Sequence, residues 1–239
     1  MQDYIKLEHM TLVYGEQSDG YYLPHHAVIK PGSTTTKTRV VFDASNKTDK
    51  GISLNSQLMV GPTIQPKLFE TLLRFRAHLF VMTADIKQMY RQILVHPDDR
   101  RFQRIFWYNN NQIETFELNT VTIGVASAPY LVIRTLHKLA EDEKLNFPLA
   151  FRILREDFYV DDLITGADPL ENLLQARDEL IKALLCEGFI IQKWNSNHPQ
   201  VLRDLEDQGS RQNSCTVSQI YHINPEREHE IVQKTLGVA

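Results

Sequence analysis

Apolar and polar positions along this chain change their period several times, and each change marks an element. The first twenty residues show no sustained period and read as a lead-in. "AVIK" (27–30) and "TRVVFDA" (38–44) are rich in β-branched residues, with the turn-rich "KPGSTTT" between them, so they predict a β-hairpin. In "LFETLLRFRAHLF", Leu68, Leu72 and Phe75 recur at helical spacing and predict a helix. "LFVMTADI" predicts a buried strand that ends at Asp85. After the polar "HPDDRRFQR", the stretch "QRIFWYNNNQIETFEL" predicts two strands joined at Asn109–Asn111. "ASAPYLVIRTLHKLAEDE" predicts a helix with Pro129 in its first turn.

The second half continues in the same way. "FRILREDFYV" and "LITGA" are β-branched and aromatic, which predicts two strands flanking Asp161 and Asp162 in a tight turn. The next stretch, "DPLENLLQARDELIKALLCEGF", predicts a helix with Asp168 as N-cap, Pro169 at N1 and Glu171 completing a capping box. Leu173, Ala176, Leu180 and Leu184 form its apolar stripe, and Gly188 stops it. "FIIQKW" is a further strand, and the final "SQIYHINPEREHEIVQKTLGVA" holds strand-like pieces without a clean stop. Helices and antiparallel-style strands mixed in this order give an α+β chain.

Composition narrows the classes. At 239 residues the chain suits one large domain or two small ones, and 42% hydrophobic content is enough for a packed core. No apolar run reaches the ~18 residues of a membrane-spanning helix, and "MQDYIKLEHM" lacks a signal-peptide layout. The only cysteines, Cys186 and Cys215, are far apart. That argues against a disulfide scaffold and a cysteine zinc site and suits an intracellular, reducing compartment. The net charge of −4 counts against a broad nucleic-acid grip, but the charge is uneven. Residues 24–47 hold Lys30, Lys37, Arg39 and Lys47 against Asp43 alone, whereas residues 203–230 are acid-rich.

Asp161 and Asp162 are the chemical anomaly. Adjacent carboxylates in an apolar segment repel each other and resist burial. Taken alone they read as solvated turn residues or as ligands of a divalent cation. Asp85, at the end of another strand, is a candidate third carboxylate, or else a helix N-cap. If the three converge, a pair of Mg²⁺ ions (or Mn²⁺) would cancel their repulsion and support phosphoryl transfer.

At this point the residues resemble a family. "FYVDD" (158–162) is similar to the Tyr-x-Asp-Asp box of reverse transcriptases, and "VMTADIKQMYRQI" to the family's first carboxylate motif. "IGVASAPYLV", "TKTRVVFDAS" and "GFIIQKW" resemble three more of its motifs, in the family's order. The wording of "VGPTIQPKLFETLLRFR" and "KWNSN" is similar to BEL/Pao-type long-terminal-repeat retrotransposons, and the resemblance runs over about residues 3–238. It implies a right-hand polymerase fold with a mainly antiparallel palm sheet packed on helices. Fingers would span 21–79 and 95–119, and palm 80–94 and 120–239, after a lead-in of 1–20.

The resemblance also implies roles. Asp85 and Asp161 would hold two Mg²⁺ ions, with Asp162 assisting. Lys193 would act as a general acid at the leaving pyrophosphate. Arg39, with Lys30 and Lys37 as further candidates, would contact the triphosphate of a dNTP. Tyr90 would exclude a ribose 2′-OH, and Gly124 and Pro129 would support template and nucleotide. Read on its own, each has a plainer alternative: Tyr90 as a packing aromatic, Arg39 and the lysines as solvated charges. Ile123 departs from the aromatic or Gln usual in the family, which bears on nucleotide affinity. The partners implied are a primed RNA or DNA template, dNTPs and the rest of a polyprotein (thumb, RNase H, integrase), in a cytoplasmic retrotransposon particle without a membrane. "KTLGVA" resembles the start of the primer-grip hairpin, and the expectation is a catalytic set without its thumb. Two functions stay open: an RNA-directed DNA polymerase, and an inactive remnant or nucleic-acid- or protein-binding fragment.

Overall fold

The computed structural model describes residues 1–15, 19–29, 38–203 and 205. The lead-in is ordered: helix α1 (Gln2–Lys6) is followed by strand β1 (Met10–Leu12). Strands β2 (His25–Ile29) and β3 (Thr38–Phe42) pair antiparallel as expected, with Val28 opposite Arg39. Helix α2 (Leu54–Gln57) opens with a capping box between Ser53 and Ser56. Helix α3 (Leu68–Arg76), strand β4 (Phe80–Ile86) and helix α4 (Pro97–Arg100) come next. Strands β5 (Arg104–Asn109) and β6 (Gln112–Leu118) turn on Asn110 and Asn111, both at positive φ (48° and 64°). Asparagine tolerates that conformation, and a two-residue turn with both φ positive matches strand twist. Helix α5 (Ala128–Glu143) carries Pro129 in its first turn.

Helix α6 (Pro148–Glu156) corrects the strand expected for "FRILREDFYV". Pro148 starts the helix, and Ala150, Ile153 and Leu154 bury one helical face. β-branched composition loses here to the i, i+3, i+4 spacing. Only Phe158–Tyr159 is extended, as strand β7, before β8 (Asp162–Ala167). The turn therefore holds Val160 and Asp161, while Asp162 is already the first residue of β8.

Helix α7 (Leu170–Cys186) buries Leu173, Ala176, Leu180 and Leu184 as its stripe requires. Each buried leucine contributes roughly 1.5–3 kcal/mol. Gly188 ends it at φ 77°, with Gly188 N–H donating to Leu185 O and Phe189 N–H to Leu184 O, a Schellman closure. The expected N-cap fails. Pro169 stands at that position with no side-chain cap bond. The Asp168 carboxylate instead accepts from Leu79 N–H and meets His78 Nδ1, both at 3.0 Å, anchoring the start of β4. α3 is also rotated from its expected face: Thr71 is its buried residue and Leu72 is exposed. Strand β9 (Ile191–Ser196) is the last described strand.

The chain divides into two compact units. The first comprises Met1–Thr63 and Tyr90–Val132. It holds the antiparallel sheet β1-β6-β5 and the β2-β3 hairpin around a core of Met10, Leu23, Phe42, Ile105, Phe116 and Leu118. The second comprises Ile64–Met89 and the residues from Ile133 on, and contains the antiparallel sheet β7-β8-β4-β9. Met82, Ile86, Leu163 and Trp194 of this sheet and Ile153, Leu154 and Leu180 of the helices are buried.

Candidate active site

All three candidate carboxylates lie in the second unit, on neighbouring strands. In the β7–β8 hairpin, Tyr159 pairs with Asp162, so Val160 and Asp161 form a two-residue turn. Val160 takes φ 58°, a left-handed conformation that costs a β-branched residue on the order of 1–3 kcal/mol. Two bonds hold it there. Val160 N–H donates to Gln65 Oε1 at 3.0 Å, and Asp161 O accepts from Ile86 N–H at 2.9 Å. The second bond ties the turn to the end of β4.

Asp85 is the direct cross-strand partner of Asp162. Residues directly opposite in an antiparallel pair project from the same face, and like charges so placed repel. On the other side of β4, Asp85 is opposite Gln192 of β9. Gln192 Nε2 donates to Asp85 Oδ1 at 3.0 Å, and Lys193 Nζ to Oδ2 at 3.2 Å. Consecutive strand residues normally face opposite ways. Here the register between β4 and β9 shifts between Thr83 and Asp85, so Lys193 and Trp194 oppose Ala84 alone. Lys193 sits in that bulge at φ 55°, and Asn195 Nδ2 braces it through Lys193 O at 2.9 Å. The bulge re-aims the lysine toward the same carboxylate as its neighbour.

The donor set suits a hard cation. Asp85, Asp161 and Asp162 offer only oxygen ligands, and a cationic group already rests on one of them. Among the described residues, no group of three or more His, Cys, Asp or Glu side chains is gathered closely enough to hold a metal. The arrangement is an open pair on one face with a third acid in the adjoining turn, not a preassembled cage. Mg²⁺ commonly takes one or two carboxylates and completes its shell with substrate phosphates and water.

The nucleotide-side candidates belong to the first unit. Arg39 is exposed on β3, and Tyr90 lies half-buried in a 3₁₀ turn, Met89–Gln92. Ile123 is 61% exposed and Pro129 is exposed on the first turn of α5. Gly124 has φ 107°, and a Cβ on it would stand 2.2 Å from Phe42 O, so this loop lies directly against the end of β3. Lys30 and Lys37 lie outside the described residues. In the polar stretch "HPDDRRFQR", which offers Arg100, Arg101 and Arg104 as possible contacts to a template backbone, all three arginines are held by the chain itself. Arg100 donates to Val95 O, Arg101 pairs with Asp19, and Arg104, 3% exposed, pairs with Glu117.

Three polar residues given no role by the sequence support these groups, although Gln65 and Gln192 lie inside the quoted stretches "VGPTIQPKLFETLLRFR" and "GFIIQKW". Gln65 and Gln192 bind the turn and Asp85. Asn55 binds the Gly124 loop through both ends of its amide: Nδ2 donates to Gly124 O (3.0 Å), and Oδ1 accepts from Ala126 N–H (2.8 Å). Each partner is distant in sequence. The capping box at Ser53 was the one local signal near Asn55, and it announces a helix start, not a loop clamp.

The three-dimensional comparison decides the architecture. The chain superimposes on the crystal structure of the prototype foamy virus protease-reverse transcriptase with a TM-score of 0.57 and 15% identity, over 80% of this chain and 22% of that one. The fold is that of a retroviral-type reverse transcriptase.

A selenomethionine-labelled mutant of the same viral protein gives a TM-score of 0.61 at 17% identity over 80% and 22% of the two chains. The foamy viral protease-reverse transcriptase in complex with double-stranded DNA gives 0.57 at 18% over 79% and 28%. The chain thus spans about a quarter of the length of the reverse transcriptases it matches. No family model and no curated protein matches it in sequence. Among the described residues, no helix is long and apolar enough to cross a membrane.

Proposed function

We propose that this chain is the fingers and palm part of an RNA-directed DNA polymerase from a BEL/Pao-type retrotransposon, acting on a primed RNA or DNA template with dNTPs. The observation that carries the reading is the cross-strand pairing of Asp85 with Asp162, with Asp161 in the turn tied to β4, within a reverse transcriptase fold. Asp85 and Asp161 would hold two Mg²⁺ ions and Asp162 would assist. When bound, the ions supply charge neutralisation at the α-phosphate and activation of the primer 3′-OH. The chain's own groups position the rest. Arg39 binds the triphosphate oxygens through its planar fork, Lys193 donates to the leaving pyrophosphate, and Tyr90 excludes the 2′-OH. Gly124 and Pro129 would support template and nucleotide, and Ile123 is apolar and cannot stack on a base. Thumb, RNase H and integrase portions of the same polyprotein would complete the working enzyme.

The test is primer extension on an RNA template with Mg²⁺, comparing the chain with Asp161→Asn. Incorporation that disappears in the variant supports the assignment, and equal incorporation by both overturns it. The alternative, an inactive remnant or binding fragment, draws on the lack of a gathered three-ligand metal group among the described residues. It predicts no extension by either chain.

A further inference from the structure

We propose that Lys193 is a resident counter-ion of Asp85 which a divalent cation must displace, so that metal loading is what frees this lysine for the substrate. The inference rests on the two-metal reading above and deepens it. Its starting point is a conflict of duties. A lysine that serves a pyrophosphate cannot at the same time hold a metal ligand, yet Lys193 Nζ lies 3.2 Å from Asp85 Oδ2.

The fold spends local energy on that contact. A non-glycine residue at φ 55° costs on the order of 1 kcal/mol or more, and the bulge breaks the β4–β9 ladder beside it. Both distortions serve to bring Lys193 to the face where Gln192 already binds Asp85. The reason is electrostatic. Without a cation, Asp85 faces the like charge of Asp162 directly across the strand pair. The ammonium supplies a positive charge to Asp85, in a pair whose side chains are only 34% and 19% exposed. A divalent ion at Asp85 would offer twice the charge and repel the ammonium. Lys193 can leave because its four-carbon stem is flexible and a third of it meets solvent. Gln192 is neutral and has no such reason to leave, so it keeps Asp85 oriented in both states.

Two measurements on the full chain test this. The first is acetylation of lysine amines read residue by residue by mass spectrometry. Lys193 is expected to react several-fold faster with saturating Mg²⁺ than in EDTA, while the exposed Lys67 and Lys182 do not change. In Asp85→Asn, Lys193 is expected to react fast in both conditions. The second is Mn²⁺ affinity, read from the free-ion electron paramagnetic resonance signal. Lys193→Met is expected to bind Mn²⁺ a few-fold tighter than the parent chain, and Lys193→Arg to stay near the parent. Unchanged Lys193 reactivity on metal loading, or Lys193→Met binding no tighter, overturns the counter-ion role. If the parent binds Mn²⁺ and Asp85→Asn does not, that failure leaves the two-metal reading standing. If neither binds Mn²⁺, both fall. Should Lys193→Met not fold, the acetylation of the unaltered chain decides alone.

Discussion

Asp162 stands directly opposite Asp85 across β8 and β4, and both oxygens of Asp85 accept hydrogen bonds from β9. The charge of Asp85 is thus met by one charged and one neutral donor, each from the strand on its far side from Asp162.

Gln192 is the neutral half of that arrangement. Gln192→Leu removes a hydrogen bond to a charged acceptor, worth roughly 1.5–3 kcal/mol. The expected outcome is a loss of about 1–2 kcal/mol in urea unfolding without added metal, since leucine recovers some packing. A midpoint equal to the parent's would mean that Gln192 does not support Asp85.

Val160 holds a conformation that glycine adopts freely. Val160→Gly should therefore cost at least 1 kcal/mol less than Val81→Gly, a half-buried strand valine of ordinary backbone geometry. Parallel denaturant titrations of the two variants make the comparison, and equal losses would remove the strain at the turn.

Gly124 and Asn55 fix one loop from two sides. Gly124→Ala places a Cβ against Phe42 O at positive φ, and is expected to lose about 2 kcal/mol or more. Asn55→Ala gives up the bonds to Gly124 O and Ala126 N–H, and a loss of roughly 1–3 kcal/mol is expected. Asn55→Asp keeps the acceptor for Ala126 N–H and should fall between parent and Asn55→Ala. Amide hydrogen exchange of residues 124–127 should quicken in Asn55→Ala before exchange elsewhere in the first unit does.

His137 sets a pH dependence. Burial lowers its pKa below the ordinary value of 6.5, and Arg155 and Arg134 add to the effect against the opposing pull of Glu141. The folded chain therefore binds this proton more weakly than the unfolded one. The contribution to stability is complete above 6.5 and is lost as pH falls from there toward the lowered folded value. His9 is lowered in the same direction, by burial first and Arg91 second. Thermal unfolding between about pH 7.5 and 5.5 should show stability falling with pH, and less steeply in His137→Gln. Parallel slopes would assign the loss to other groups.

What local pattern determines is clear in α7, β4 and the β5–β6 turn. The Leu173–Leu184 stripe, the apolar run ending at Asp85 and the Asn pair each act within a few residues of themselves. Such signals survive folding because hydrogen bonding along a helix, burial of a strand and backbone handedness at a turn are local. The order of the motifs likewise pointed to a polymerase palm, and the fold agrees.

Where local signals competed, packing decided. "FRILREDFYV" carries the β-branched and aromatic residues of a strand, yet Ala150, Ile153 and Leu154 bury a helical face and α6 forms. Asp168 has the residue type and position of an N-cap, but Leu79 and His78, at the start of the neighbouring strand β4, claim its carboxylate. The site followed the same rule. Three acids could be named from the chain, but their partners could not. Which acid faces Asp85, and that a bulge turns Lys193 onto it, depend on strand register. Register is set by which side chains become buried together, and this exists only once distant segments have met.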